Sequence, residues 1–117
     1  MKTINMTNKL RVKMKERQLE IYTRFINADR TPENCDEYDI AMSYVETLPQ
    51  NIEEFRMAVA LEELGVEVTV EGEDDYTLNY IVDKYNDLHK KHPNRPLLRE
   101  LTLMYQELLK EELSIIE

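Results

Sequence analysis

Glycine and proline are scarce in this sequence, with two and four residues among 117. A turn-rich sandwich or barrel uses many more, so helices are the expected element. Tryptophan is absent, and a single cysteine, Cys35, leaves no disulfide framework within the chain. No uninterrupted apolar run approaches the roughly 20 residues that cross a bilayer. Asn, Thr and Lys break up residues 1–9, so no apolar run of signal-peptide length is present there. These absences lead to the expectation of a cytoplasmic protein that touches no membrane and keeps its thiol reduced. Two glycines also cannot build a phosphate-cradling loop, which removes kinase-like and dinucleotide-binding chemistry.

What is present is charge, unevenly spread. Apolar residues make up 42% and charged residues 33%, enough of the first for one core and too much of it for a disordered tail. The expectation is one domain over residues 1–117. The net charge is −9. Residues 1–27 are basic, with seven bases against Glu16 and Glu20. Residues 28–87 hold seventeen acids and only Arg30, Arg56 and Lys84 as bases, whereas the last thirty residues balance. Such an acidic block repels nucleic acid and anionic lipid and steers towards basic partners. The surplus of Phe, Tyr, Met, Ile, Asn and Lys over Gly, Ala, Arg and Pro fits AT-rich codons, as in an AT-rich bacterium or its phage.

Periodicity predicts a mainly α chain, a single compact bundle of about five helices with one short β-strand or hairpin near residues 66–82. Thr7 or Asn8 caps a first helix to about Ala28, with Leu10, Met14, Ile21 and Phe25 on one stripe. Thr31-Pro32 is a start signal for a second, with Tyr38, Ala41, Met42, Val45 and Leu48 inside and Pro49 as its stop. Asn51 with Glu54 reads as a capping box for a third, with Ile52, Phe55, Val59, Ala58 and Leu61 inward and Gly65 as the residue just past its end. Val66, Val68 and Val70 then alternate as a strand would. Tyr76 to Val82 fits a second strand or, with the longer-lived spacing Leu78, Ile81, Val82, Tyr85 and Leu88, a helix capped by Asp74 or Asp75. Pro93 closes that segment. Leu97, Leu98, Leu101, Met104, Tyr105, Leu108 and Ile115 mark the last helix.

No arrangement of residues makes a convincing catalytic or metal centre. Glu53, Glu54, Glu62, Glu63, Glu67, Asp83 and Asp87 do not repeat in the paired pattern of an all-α Mg²⁺ hydrolase. The run Glu71-Gly72-Glu73-Asp74-Asp75 lacks the alternating ligands of an EF-hand. His89 and His92 would supply only half a zinc site, and they suit the negative end of a helix dipole instead. Acids surround Cys35 and oppose a thiolate, and Ser43 and Ser114 have no evident base. The expectation is a protein without enzymatic activity, cofactor or metal.

The basic first helix, with Lys9, Lys13, Arg17 and Arg24 along one side, offers a route to phosphates, but the acidic block behind it opposes direct nucleic-acid binding. Those cations are expected to pair with acids of the same chain or of a second copy. Seven tyrosines remain, a residue enriched where proteins meet. Tyr38, Tyr85 and Tyr105 read as buried, and Tyr44, Tyr76 and Tyr80 as surface contacts. Acids and tyrosines together point to a basic protein partner that handles nucleic acid. The contact set is Asp36, Glu37, Asp39, Tyr44, Glu67, Glu71, Glu73, Asp74, Asp75, Tyr76 and Tyr80, carboxylates standing in for phosphates as an inhibitor from a phage or mobile element would use them. Two alternatives are a homodimer or larger assembly built on the broad apolar helix faces, and a regulator reaching nucleic acid through the first helix.

Overall fold

The computed structural model describes residues 2–70 and 76–116. The chain is all-helical: α1 is Asn8–Ile26, α2 is Cys35–Glu63, α3 is Leu78–Lys91 and α4 is Pro96–Ile116. The helices pair in sequence order, α1 with α2 and α3 with α4. Two compact units result, one spanning Thr7–Glu73 and the other joining Met1–Met6 to Asp74–Glu117.

In the first unit the Thr7 hydroxyl accepts from Leu10 N–H at 3.1 Å and caps α1. Leu10, Met14 and Ile21 are buried as their spacing predicts, Tyr22 beside them is buried too, and Phe25 at the end of the stripe is half-buried. Contacts with α2 climb one helix as they descend the other: Tyr22 meets Tyr44, Glu16 meets Arg56, Lys15 meets Phe55 and Asn8 meets Glu62. That order makes the pair antiparallel. The Thr31 signal acts as a turn before α2. Thr31 N–H donates to Asn34 Oδ1 at 2.7 Å and Asn34 N–H donates to Thr31 Oγ1 at 3.3 Å, the reciprocal bonds of a capping box.

The expected break at Pro49 does not occur. α2 runs through it as one helix of 29 residues, so the described residues form four helices rather than five. An interior proline costs a helix about 3 kcal/mol, because it donates no hydrogen bond and crowds the carbonyl four residues back. Leu48, Ile52 and Phe55 on either side are buried in a single phase. Burying side chains of that size is worth about 1.5–3 kcal/mol each, so the continuous stripe outweighs the proline. Asn51 and Glu54 therefore lie inside a helix and do not start one.

α2 ends as expected at Gly65, whose φ is 85°. Val66 N–H reaches back to Leu61 O at 3.0 Å and Gly65 N–H to Glu62 O at 2.9 Å, both bonds of a Schellman motif. Beyond it residues 66–70 form no strand. Among the described residues no strand offers them a ladder; instead Asn8 Nδ2 donates to Val68 O at 3.2 Å and also to Glu62 Oε1. The turn expected at residues 71–75 lies outside the described residues.

In the second unit residues 76–82 take the helical alternative, with Thr77 rather than Asp74 or Asp75 as the cap: its hydroxyl accepts from Tyr80 N–H at 3.1 Å. The first residues of the chain dock here, which periodicity did not foretell. Asn5 bridges Thr77, and Leu78 N–H donates to Ile4 O at 2.8 Å. The Asn79 amide then behaves like a peptide group: Ile4 N–H donates to its Oδ1 at 2.8 Å and its Nδ2 donates to Lys2 O at 3.1 Å. Between α3 and α4, Tyr85 and Tyr105 lie with ring centroids 4.5 Å apart. Buried Thr102 has its hydroxyl within reach of Leu98 O at 2.7 Å and Tyr85 O at 3.3 Å. Leu97, Leu101, Met104, Tyr105 and Leu108 are buried as expected, but Ile115 is exposed because α4 has run past its partner's packing face.

Two substitutions test these junctions. No atom lies within 4 Å of a Cβ placed on Gly65, so Gly65→Ala pays only for its left-handed backbone, about 1–2 kcal/mol in urea unfolding at unchanged slope, with Gly65→Asn losing less. Asn79→Ala should cost about 2 kcal/mol for two hydrogen bonds and speed amide exchange at Ile4; unaltered exchange there would refute the docking of the first residues.

Candidate functional site

Charge is partitioned between the two helices of the first unit. α1 carries six bases and two acids, whereas α2 carries eight acids and one base. Some of the basic charge of α1 is spent inside the unit. Lys15 is only 9% exposed, and its Nζ lies 5.3 Å from the centroid of the fully buried Phe55 ring, with Arg11 Cζ at 5.9 Å. Cations at that range gain from the ring's negative face, and the aliphatic stem of Lys15 packs while its head finds the ring. Arg56, the one base of α2, donates to Glu53 Oε1 at 2.6 Å and to Glu16 Oε1 at 3.3 Å. Both carboxylates hold the guanidinium pKa above its ordinary value, Glu53 more strongly.

The acids of the expected contact set fall in separate places. Asp36, Glu37 and Asp39 share the first turns of α2, and Glu67 lies past its far end. A helix of that length separates the two groups by about 40 Å. Asp39 is engaged: Arg30 grips it with Nε on Oδ1 at 3.0 Å and Nη2 on Oδ2 at 3.1 Å. The Arg30 hydrogen bonds are the main cause that lowers the Asp39 carboxyl pKa. Glu37 is half-buried and also has a partner. Glu71, Glu73, Asp74 and Asp75 lie outside the described residues. Of the tyrosines, Tyr44 is exposed on one side and stacked on buried Tyr22 on the other, at 4.6 Å between ring centroids. Tyr76 and Tyr80 are both exposed and stack on each other at 4.5 Å in the second unit.

The surface that periodicity misassigned is the outer side of α2 near its end. Leu61, expected to point inward, is 36% exposed; Met57 is 68% and Leu64 80% exposed. Spaced four and three residues apart, they line one side of the helix, roughly opposite Leu48 and Phe55. Further back on the same side stand Asp39, Glu46, Gln50 and Glu53, all exposed and polar. Glu54 and Glu63 flank the apolar stripe, and both are exposed. The signal was readable as a second set of apolar positions out of phase with the buried one.

An open cleft of about 770 Å³ runs between α1 and α2, floored by Leu19, Pro49 and Ile52 and bordered by the Glu16–Arg56–Glu53 ion pairs. Among the described residues no three His, Cys, Asp or Glu side chains gather as metal ligands would. Likewise no described helix is long and apolar enough to cross a membrane. No family model, curated protein or solved structure matches the chain.

The Arg30–Asp39 pair can be followed by titration. A carboxyl whose pKa is depressed on folding contributes stability above its unfolded value and loses it as pH falls through the folded one. The Asp39 carboxyl carbon should therefore titrate below the ordinary aspartate range by NMR and return to that range in Arg30→Gln; an unmoved midpoint would show the pair to be without electrostatic effect.

Proposed function

We propose that this chain is an acidic protein-binding protein whose carboxylates occupy a basic, nucleic-acid-binding surface of another protein. The observation that carries the reading is α2: eight acids and a single base on one helix, with that base already held by Glu53 and Glu16. Asp36, Glu46, Glu54 and Glu63 stand exposed along it and Glu67 just beyond. Carboxylates held along one helix present acceptor charge as phosphates do, and a groove lined with Lys and Arg meets either. Inhibition is then competitive with nucleic acid: fast, steered association at low salt and displacement as salt rises. The partition of charge supports the same reading, since part of the basic helix that would otherwise draw nucleic acid is turned onto Phe55. A phage or mobile element facing a nuclease or other nucleic-acid-handling defence is the setting such an inhibitor suits.

The test is capture from nuclease-treated lysate of the source cell, at about 0.1 M and about 1 M salt, where screening shortens from about 10 Å to about 3 Å. The expected outcome is one basic nucleic-acid-handling protein, retained at low salt and lost at high, whose binding of nucleic acid weakens in proportion to added chain. Neutralising Asp36, Glu54, Glu63, Glu67 and the acids of residues 71–75 to Asn and Gln should abolish capture. Equal capture by the neutralised chain, or recovery of only the bait as a salt-resistant oligomer, would overturn the proposal.

A further inference from the structure

We infer that Met57, Leu61 and Leu64 on the outer side of α2 seat an amphipathic helix of a cationic partner, whose apolar side covers the stripe while its Lys and Arg reach Glu54 and Glu63; this rests on the acidic protein-binding reading above. The stripe lies within one compact unit, and its three side chains are exposed among the described residues. Taking Met57 as the first position of a heptad, Ala60 and Leu64 fall at the two seam positions, and Glu54, Arg56, Leu61 and Glu63 fall at the flanking positions, where charge selects the partner; Arg56 is already held by Glu53 and Glu16. The seam stops abruptly upstream, because Glu53 occupies the preceding seam position and is tied to Arg56. It stops downstream at Gly65, where the helix ends. What remains is two turns, about 11 Å of axis, the span over which a docked helix sets anchors at i, i+4 and i+7.

Charge decides the occupant. A second copy on this face would bring together two chains of net charge −9, each adding Glu54 and Glu63 to the same rim. A helix with Lys or Arg at the flanking positions turns that repulsion into attraction and buries the same three side chains. Glu62, next to Glu63, is not counted with these acids because it already accepts a hydrogen bond from Asn8. A bare nucleic-acid groove offers cations without an apolar ridge, so the stripe adds a requirement that charge mimicry alone does not have.

The experiment uses the full chain and two synthetic peptides of one composition. One carries leucines along one helical face and Lys and Arg along the other; its scrambled twin has no apolar face. The amphipathic peptide is expected to bind at least about tenfold more tightly. It should shift the Met57 methyl and the Leu61 and Leu64 signals in NMR spectra of the wild-type chain. The triple variant Met57→Ser, Leu61→Ser, Leu64→Ser should lower its affinity about tenfold, to that of the twin, at unchanged helicity, since all three side chains are exposed. Equal binding of the two peptides, or unchanged affinity in the triple variant, would overturn the docking inference while leaving charge-driven binding intact. Failure of both peptides to bind would overturn the inference and the acidic-surface reading together. Shifts at Met57 that grow with the chain's own concentration would make a second copy the occupant and overturn it as well.

Discussion

Phe55 is the residue on which the first unit depends. Its ring is fully buried, it lies six residues beyond the proline that should have ended the helix, and two cations of α1 lie within 6 Å of its centroid. One side chain thereby does three things. It adds the burial that carries α2 through Pro49, it fixes the level at which α1 crosses α2, and it gives Lys15 a place inside the unit. A charged lysine at so little exposure needs such company, because burying an ammonium costs more than a few buried methylenes return.

The helical class was legible because the apolar spacing of α1, α3 and α4 is long and regular, and the end of α2 was legible because only glycine takes the required backbone cheaply. Local punctuation misled where burial outweighed it. Leu48-Pro49 and Asn51 with Glu54 look like a stop and a start, yet Ala41, Leu48, Ile52 and Phe55 hold one phase across them, and a real break would have reset it. Val66, Val68 and Val70 alternate as a strand does, but alternation gives no ladder, and Val68 O turned to the Asn8 side chain instead. The candidate contact residues were legible as chemistry and not as a place. Asp39 proved to be held by Arg30, Tyr44 by Tyr22, and Leu61 was assigned to the wrong side of its helix.

Segregating charge between two packed helices lets one amino-acid composition serve two purposes. The basic helix offsets part of the repulsion that eight carboxylates impose on α2, which is how a helix so acidic can be long and ordered. The outer side of α2, away from α1, keeps its carboxylates exposed. A helix that stabilises itself by pairing every acid along its own length would have no charge left to present.

The docking of Lys2 to Asn5 against Thr77 and Asn79 has a bearing on how the molecule assembles. Its hydrogen bond from Ile4 to Asn79 joins residues 75 apart in sequence, in a chain whose helix pairs are otherwise formed between neighbours. Closing a loop of that length costs about 4 kcal/mol of chain entropy by the logarithmic rule, more than the bonds at the junction return before the helices exist. Both helical hairpins, being local, can form without it. Residues 2–5 therefore gain their place only once the start of α3 exists to receive them.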